Sequence, residues 1–121
     1  MKTYSISQLE HKANEIRQDI IKLLLEAGSG HTAGPLGMTD IFTALYFRVL
    51  KHNPKNPRWK ERDRLILSNG HIVPVRYATM AHAGYFPKSL LKTFRKINSK
   101  LEGHPSVKKL PAVETSSGPL G

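Results

Sequence analysis

The feature that most constrains the fold is a single strand-like run, RLIL at Arg64–Leu67, in a sequence whose other periodic segments are helical. An isolated strand leaves its backbone N–H and C=O groups unpaired, so an α/β layer needs at least a second strand. The other candidate is the weak run AVET at residues 112–115. The sequence therefore predicts the opening part of an α/β domain, predominantly helical within this chain, whose remaining strands lie beyond residue 121.

Apolar residues near the N-terminus recur every three or four positions, from Ile6 through Ile16 to Leu23, which places them on one face of a helix. Ser7 and Glu10 have the S-x-x-E form of a capping box, which predicts where this helix begins. Glycine and proline then separate the helical segments. The predicted helices cover about residues 8–27, 39–51 and 72–83, and a shorter one contains Leu90, Leu91 and Phe94.

Positive charge is concentrated in the second half of the chain. Residues 48–109 contain 15 Lys and Arg against 3 Asp and Glu, whereas residues 1–47 contain 4 against 5. Such a basic region is expected to meet an anion, which is a nucleic acid, a phosphorylated metabolite or an acidic partner. Aromatic side chains that could stack on bases are sparse in the basic region, so nucleic acid is not favoured.

The cellular setting follows from what the sequence lacks. It contains no cysteine, which excludes disulfides and thiolate metal sites. The N-terminus has no apolar signal core, and no run approaches the roughly 20 apolar residues that span a bilayer. We therefore expect a soluble, cytoplasmic protein with no membrane partner.

Three histidines lie in glycine-containing loops beside predicted elements: His31 in GSGHTAG, His71 in SNGH and His104 in EGHP. Glycine lets a ligand approach the backbone closely, and imidazole both donates to anionic oxygens and exchanges protons near neutral pH. A single loop histidine is more often a surface or capping residue. The functional hypothesis therefore depends on the three histidines together.

The other histidines, His11, His52 and His82, fall on helical or charged surface and are predicted to have no functional role. Zinc binding is not favoured, because no Asp or Glu stands near the loop histidines at ligand spacing and no two histidines are four residues apart on a helix. No metal ligand is assigned. The glycine-rich loop at residues 28–37 either cradles a phosphate at the start of the next helix or makes a tight helical hairpin.

Four segments occur in a recognisable order: SGHTAGPLGMTDIFTALYFRVLKHNPKNPRW, RDRLILSNGHIVPVRYATMAHAGYFP, LEGHP and SSGPLG. In that order they resemble the opening of transketolase, the thiamine-diphosphate-dependent enzyme that transfers two-carbon ketol units between sugar phosphates. The resemblance covers nearly the whole chain, and four ordered motifs are far more specific than any one of them. The GHTAG wording, with Thr32 where many members have proline, resembles the N-terminal subunit of split-gene transketolases.

The resemblance implies a role for each loop histidine. His31 matches the catalytic histidine beside the reactive thiazolium, which contacts the donor sugar and assists proton transfer. His71 matches one close to the cofactor's diphosphate, and His104 matches one that hydrogen-bonds the donor's hydroxyls near the scissile bond. The loop that lies along the cofactor in the family is matched by Gly118, Pro119 and Leu120.

The resemblance also implies that residues 1–121 are an incomplete N-terminal part of the pyrophosphate-binding domain, in a fold with a parallel sheet between helices. The family's ligands for Mg²⁺ or Ca²⁺ have no match here, so the metal is expected to be held by segments absent from this chain. We expect such a chain to be inactive alone. Its expected partners are sugar phosphates and either a second copy or a complementary transketolase chain.

Three other interpretations stay open. One is a sibling enzyme, dihydroxyacetone synthase or deoxyxylulose-phosphate synthase, although the HNPKNPRW and SNGH wording favours transketolase over the latter. Another is a small basic protein that binds nucleic acid, as the charge alone allows. The third is a non-catalytic assembly module that binds a transketolase subunit.

Overall fold

The computed structural model describes residues 3–120, which form a mainly helical unit. The α-helices in chain order are α1 (Ile6–Ala27), α2 (Ala33–Gly37), α3 (Thr39–Ala44) and α4 (Val73–Ala83). A π-helical turn at Leu45–Val49 extends α3, and 3₁₀ turns lie at Gly70–Ile72, Lys88–Thr93 and Pro111–Val113. The predicted helical segments are therefore confirmed, although the fourth is a 3₁₀ turn that ends before Phe94.

No β-strand forms between residues 3 and 120, so the strand predicted at Arg64–Leu67 is wrong for the described part of the chain. The run has the burial pattern of a strand, with Ile66 exposed and Leu67 buried. It has no strand beside it to complete a ladder. Instead the Leu65 carbonyl accepts a hydrogen bond from Arg76 Nη2 of α4 at 3.0 Å.

Helix α1 begins two residues earlier than predicted. Its N-cap is Ser5, whose Oγ accepts from the Gln8 N–H at 3.2 Å while the Ser5 N–H donates to Gln8 Oε1 at 2.8 Å. The capping box is therefore Ser5 with Gln8, because these side chains close the reciprocal pair that Ser7 and Glu10 were expected to make. Neither α1 nor any other helix within residues 3–120 is long and apolar enough to cross a membrane.

Helix α4 lies at the centre of the core. Every residue from Val73 to Ala81 is buried, so the helix is covered on all sides. It packs against α1, α3 and the 3₁₀ turn at 88–93. The core around it is completed by large apolar side chains from several elements: Ile16, Ile20, Phe42, Tyr46, Phe94, Leu101 and Val113.

The histidines predicted to lie on the surface divide into three environments. His11 is exposed and lies 3.3 Å from Glu15 on α1. His52 is half-buried, with its ring nitrogens 2.8 Å from the Tyr85 hydroxyl and 2.6 Å from a backbone carbonyl. His82 contradicts the prediction, because its side chain is 1% exposed and bonds to Asp19 of α1.

The buried position of His82 has an electrostatic consequence. Burial lowers the pKa of its imidazole, and the hydrogen bond that the imidazole donates to the Asp19 carboxylate opposes that shift. The pair joins α1 to α4 inside the fold, so His82 has a structural role. Its helical spacing alone could not reveal this, because the burial depends on which face of α4 meets α1.

Candidate functional site

Two of the three loop histidines are in contact. The rings of His31 and His71 have centroids 5.0 Å apart and are tilted by 59°. They are brought together by the packing of α1 and α2 against α4. Two loop histidines that are 40 positions apart in the sequence therefore lie side by side in the fold.

The loop that carries His31 passes close to the core, which requires glycine at position 30. Gly30 has a φ of 126°, a backbone conformation that other residues rarely adopt. A Cβ at this position would lie 2.6 Å from Leu24 Cδ2 and 3.3 Å from the Phe94 ring. The glycine therefore allows the chain to leave α1 and place His31 beside His71.

The segment that carries the third histidine, His104, meets the His71 loop at Gly70. This residue precedes His71 and is buried. A Cβ at Gly70 would overlap the side chain of Ser117 and would lie 3.1 Å from Pro105 Cδ. The segment that carries His104 and the loop that carries Gly118 therefore meet at Gly70, the residue before His71.

Helix α4 also anchors the segment before His104. The hydroxyl of Tyr77 donates to the carbonyl of Glu102 at 2.7 Å. Burial raises the pKa of Tyr77, so the hydroxyl remains protonated and available as a donor at neutral pH. The Tyr77 ring also meets Phe94 edge-on, with centroids 5.9 Å apart. One buried helix thus sets the position of both His71 and the approach to His104.

An open cavity of about 700 Å³ lies beside His104. It is lined by Pro105, Ser117, Gly118 and Pro119, and the described residues that line it do not include His31 or His71. The predicted site is therefore a histidine pair and an adjacent cavity, which meet at Gly70. The last predicted residue, Leu120, is 70% exposed.

Two residues that line this cavity carry buried polar atoms without a hydrogen-bond partner in the described part of the chain. His104 Nδ1 and Ser117 Oγ are buried, and neither has a hydrogen-bond partner within residues 3–120. Buried polar groups are normally satisfied, so an unsatisfied pair beside a cavity is typical of a site that binds a polar molecule. The residues therefore fit a cofactor or substrate that carries oxygen or nitrogen atoms.

The sequence predicted a basic region but did not single out the cations that lie around the cavity. Arg95, Lys96 and Lys109 all line it. Lys96 and Lys109 are paired with Glu26 and Glu102, whereas Arg95 has no ion-pair partner in the described part of the chain. Many other Lys and Arg residues lie near these three in the sequence, so only the fold shows which of them line the cavity.

The described residues were also compared with the ligand groups that hold metal ions. Among residues 3–120, no group of three or more His, Cys, Asp or Glu side chains is placed to hold a metal ion. The site as described therefore consists of imidazoles, small loop residues and cations.

An ion pair stands at the start of the loop that carries Gly118. Arg62 Nε and Nη2 donate to the two carboxylate oxygens of Glu114, both at 2.8 Å. The side chains are 11% and 12% exposed. The pKa of Glu114 is lowered from its ordinary value, mainly by these hydrogen bonds, while partial burial opposes the shift.

The lowered pKa of Glu114 predicts a pH dependence of stability. The unfolded carboxyl titrates near 4.5 and the folded one below it, so the pair's contribution is present above pH 4.5 and is lost as the pH falls through the folded pKa. We expect the free energy of unfolding of the wild type to exceed that of Glu114→Gln at pH 7, and the gap to narrow below pH 4.5. Urea unfolding between pH 7 and pH 3 measures this.

Glu26→Gln is the matched control, because Glu26 also forms an ion pair, with Lys96, but its side chain is 55% exposed. Its effect on stability is expected to be much smaller, since exposed pairs are screened by water. A gap between wild type and Glu114→Gln that stays constant down to pH 3 would contradict the assignment.

Comparison with known proteins extends these observations. The family model described as the transketolase thiamine diphosphate binding domain matches residues 9–121. The chain therefore belongs to the transketolase family, through its thiamine diphosphate binding domain. This confirms the resemblance carried by the motifs, and it does not favour the nucleic-acid, sibling-enzyme or assembly-module alternatives.

Two relatives show how much of a whole transketolase or transketolase subunit this chain covers. A transketolase of Buchnera aphidicola is 49% identical over 110 residues, which are 90% of this chain and 16% of the relative. A 6-deoxy-6-sulfo-D-fructose transketolase subunit, SqwG, of a Clostridium species is 41% identical over 93% of this chain and 41% of the relative. The chain thus spans about a sixth of the first and under half of the second.

The fold agrees with solved structures of the family. The transketolase of Pichia stipitis in complex with sedoheptulose-7-phosphate matches with a TM-score of 0.88 and 36% identity, over 93% of this chain and 17% of that one. A strand-free, mainly helical unit is therefore consistent with the opening part of the α/β domain.

Proposed function

We propose that this chain contributes one wall of a transketolase active site, where it binds thiamine diphosphate and a sugar phosphate. The observation that carries the proposal is the contact of His31 with His71 beside the segments that hold His104 and Gly118. These residues stand at the positions of the family's motifs, and the packing at Gly70 joins them. The match to the thiamine diphosphate binding domain supports this interpretation.

Thiamine diphosphate, when bound, would supply a nucleophilic carbon and an electron sink. The chain's own residues orient the ligands and move protons. The backbone of Gly118, Pro119 and Leu120 lies along the cofactor, and His71 donates to its diphosphate. His104 lines the cavity, and its buried Nδ1 has no hydrogen-bond partner within residues 3–120, so a small shift of the ring would let it bond to a ligand.

His31 is assigned to proton transfer. The ring centroids of His31 and His71 are 5.0 Å apart. Because His71 is proposed to bind the diphosphate, His31 lies close to the proposed diphosphate position. Imidazole can accept a proton from a sugar hydroxyl and return it near neutral pH. His104 is assigned to the donor's hydroxyls, because it faces the open cavity where a sugar could enter.

The substrate class is proposed to be a sugar that carries an anionic group. Arg95, Lys96 and Lys109 place positive charge at the cavity, which favours a phosphate. The Pichia stipitis structure holds sedoheptulose-7-phosphate, and the Clostridium subunit is named for a sulfonated fructose. Either anion is compatible with these cations, and sugar phosphates are the primary proposal.

The remaining components are proposed to come from outside residues 3–120. A Mg²⁺ or Ca²⁺ ion would be held by other segments of the family's domain, and either a second copy or a complementary chain would complete the site. Exposed apolar residues on α1 support an association, since Ile21 is 53% and Leu25 81% exposed. We also propose a cytoplasmic location.

Calorimetric titration of the natural full-length chain with thiamine diphosphate and Mg²⁺ tests the proposal. We expect His71→Ala to weaken cofactor binding by about tenfold, because it removes a hydrogen bond to the charged diphosphate. His104→Ala is expected to bind the cofactor as the wild type does and to raise the KM for the donor sugar phosphate. His11→Ala is the control, because that side chain is 79% exposed on α1. Equal affinity of all four proteins, or no binding by the wild type, would overturn the assignment.

A further inference from the structure

The backbone at Glu114 adopts a rare and strained turn. Its φ is 70° and its ψ is −50°, and the Thr115 N–H donates to the Val113 carbonyl at 2.8 Å. A hydrogen bond from residue i+2 to residue i with a positive central φ defines a γ-turn of the uncommon kind. Non-glycine residues hold such a conformation only where the surrounding structure enforces it.

Arg62 provides that enforcement from a segment 52 residues earlier. Its guanidinium donates hydrogen bonds to both oxygens of the Glu114 carboxylate, each at 2.8 Å. Its Nη1 donates to the carbonyl of Trp59 at 2.8 Å, which fixes the orientation of the fork. A bidentate pair has directional as well as electrostatic specificity, so it holds the carboxylate in one place.

The turn separates the core from the ligand loop. Before it, Val113 is fully buried. After it, the Ser116 Oγ accepts from the Val107 N–H at 2.9 Å, and the Ser117 N–H donates to the Pro105 carbonyl at 3.2 Å. Ser117 then packs on Gly70, and the next two residues line the cavity. The direction of the chain at Glu114 therefore decides where the loop meets the histidines.

We propose that Arg62 and Glu114 are positioning residues that hold this strained turn and so direct residues 115–119 into the ligand site. Neither side chain is proposed to touch the cofactor or the substrate. The inference rests on the proposed function for its ligand, whereas the effect on the loop can be measured without any ligand.

The experiment compares amide hydrogen exchange by NMR in the natural full-length chain. The variants are Glu114→Gln, Arg62→Gln and the double variant, and the reporters are the amides of Thr115 and Ser117. We expect exchange at both amides to rise by about tenfold in each single variant, and the double variant to match the singles because one interaction is lost in all three. Exchange in α1 and α4 is expected to stay unchanged.

Two further variants separate strain from positioning. Glu114→Gly accepts the positive φ without strain but has no carboxylate, and its loop amides are expected to exchange as fast as those of Glu114→Gln. Asp40→Asn is the control, because it removes the carboxylate of an exposed ion pair with Arg17. Wild-type exchange in Glu114→Gly or Arg62→Gln would overturn the proposal.

Titration with thiamine diphosphate and Mg²⁺ then tests the link to the ligand. We expect the Glu114→Gln and Arg62→Gln proteins to bind about tenfold more weakly than the wild type, and Asp40→Asn to bind equally well. If amide exchange in the loop rises and the affinity for thiamine diphosphate is unchanged, the ion pair holds the loop but has no role in the ligand site. The proposed link between the pair and the ligand is then wrong. If the wild type does not bind, the proposed function fails while the exchange result still decides the role of the pair in the loop.

Discussion

Replacing Gly70 with alanine should impair the ligand site more than any other single methyl group added to this chain. The new Cβ would overlap the Ser117 side chain and crowd Pro105, and both neighbours are short or cyclic groups that cannot swing away. We expect the free energy of unfolding to fall by about 1–3 kcal/mol. We also expect ketol transfer by the full-length chain to slow by about 100-fold, because the 115–119 loop must shift by roughly an ångström.

The control and the rescue both come from the same packing. Gly37→Ala is the control, because a Cβ there would meet no atom of residues 3–120 within 4 Å and its φ is not positive. Gly70→Ala combined with Ser117→Gly removes the worst overlap, so part of the lost stability and activity should return. Chemical unfolding and steady-state kinetics measure these effects. A Gly70→Ala protein with wild-type stability and rate would show that the loops do not pack as described.

Replacing Arg76 with alanine should cause the largest loss of stability from a charged residue. Arg76, the fourth residue of α4, is 1% exposed, so removing its side chain leaves a cavity and takes the donor from the Leu65 carbonyl. We expect the free energy of unfolding to fall by about 3 kcal/mol. Urea denaturation at neutral pH measures the change.

Arg76→Met is the matched variant, because methionine keeps most of the volume and removes the charge. Arg76 Nε and Nη1 are buried and make no hydrogen bond to the described residues, so the interaction of the guanidinium with the nearby Glu114 carboxylate compensates its charge only in part. Replacing a poorly compensated buried charge with an apolar group is often neutral, and we expect a loss of at most about 1 kcal/mol. If methionine destabilises the protein as much as alanine, the guanidinium contributes more than its volume and this explanation is incorrect.

The helices were accessible from the sequence because they depend on local pattern. The apolar period around Ile16 and Ile20 predicted α1, and both residues are fully buried. The predicted N-cap, Ser7, was wrong. Two serines lie at the start of this helix, and only the reciprocal hydrogen bonds with Gln8 show that Ser5 is the N-cap. Sequence pattern thus specifies that a helix exists more firmly than it specifies the first residue.

The prediction of a strand at Arg64–Leu67 was wrong for a different reason. A strand requires a partner, and whether one is present is not a local property. In residues 3–120 the carbonyl of Leu65 is satisfied by Arg76 instead. The burial of His82 was missed for the same kind of reason, because Asp19 lies 63 residues earlier and only the packing of α1 on α4 brings the two together.

The sequence by itself determined the helical segments, the loop positions of His31, His71 and His104, and the ordered motifs that mark the family. These properties reside in residue type and spacing along the chain. The tertiary structure decided that His31 touches His71, that the other two loops meet at Gly70, and that Arg62 grips a strained turn at Glu114. Each of these contacts joins residues about 35–50 positions apart, and their formation depends on how α4 is buried among the other helices rather than on any local preference.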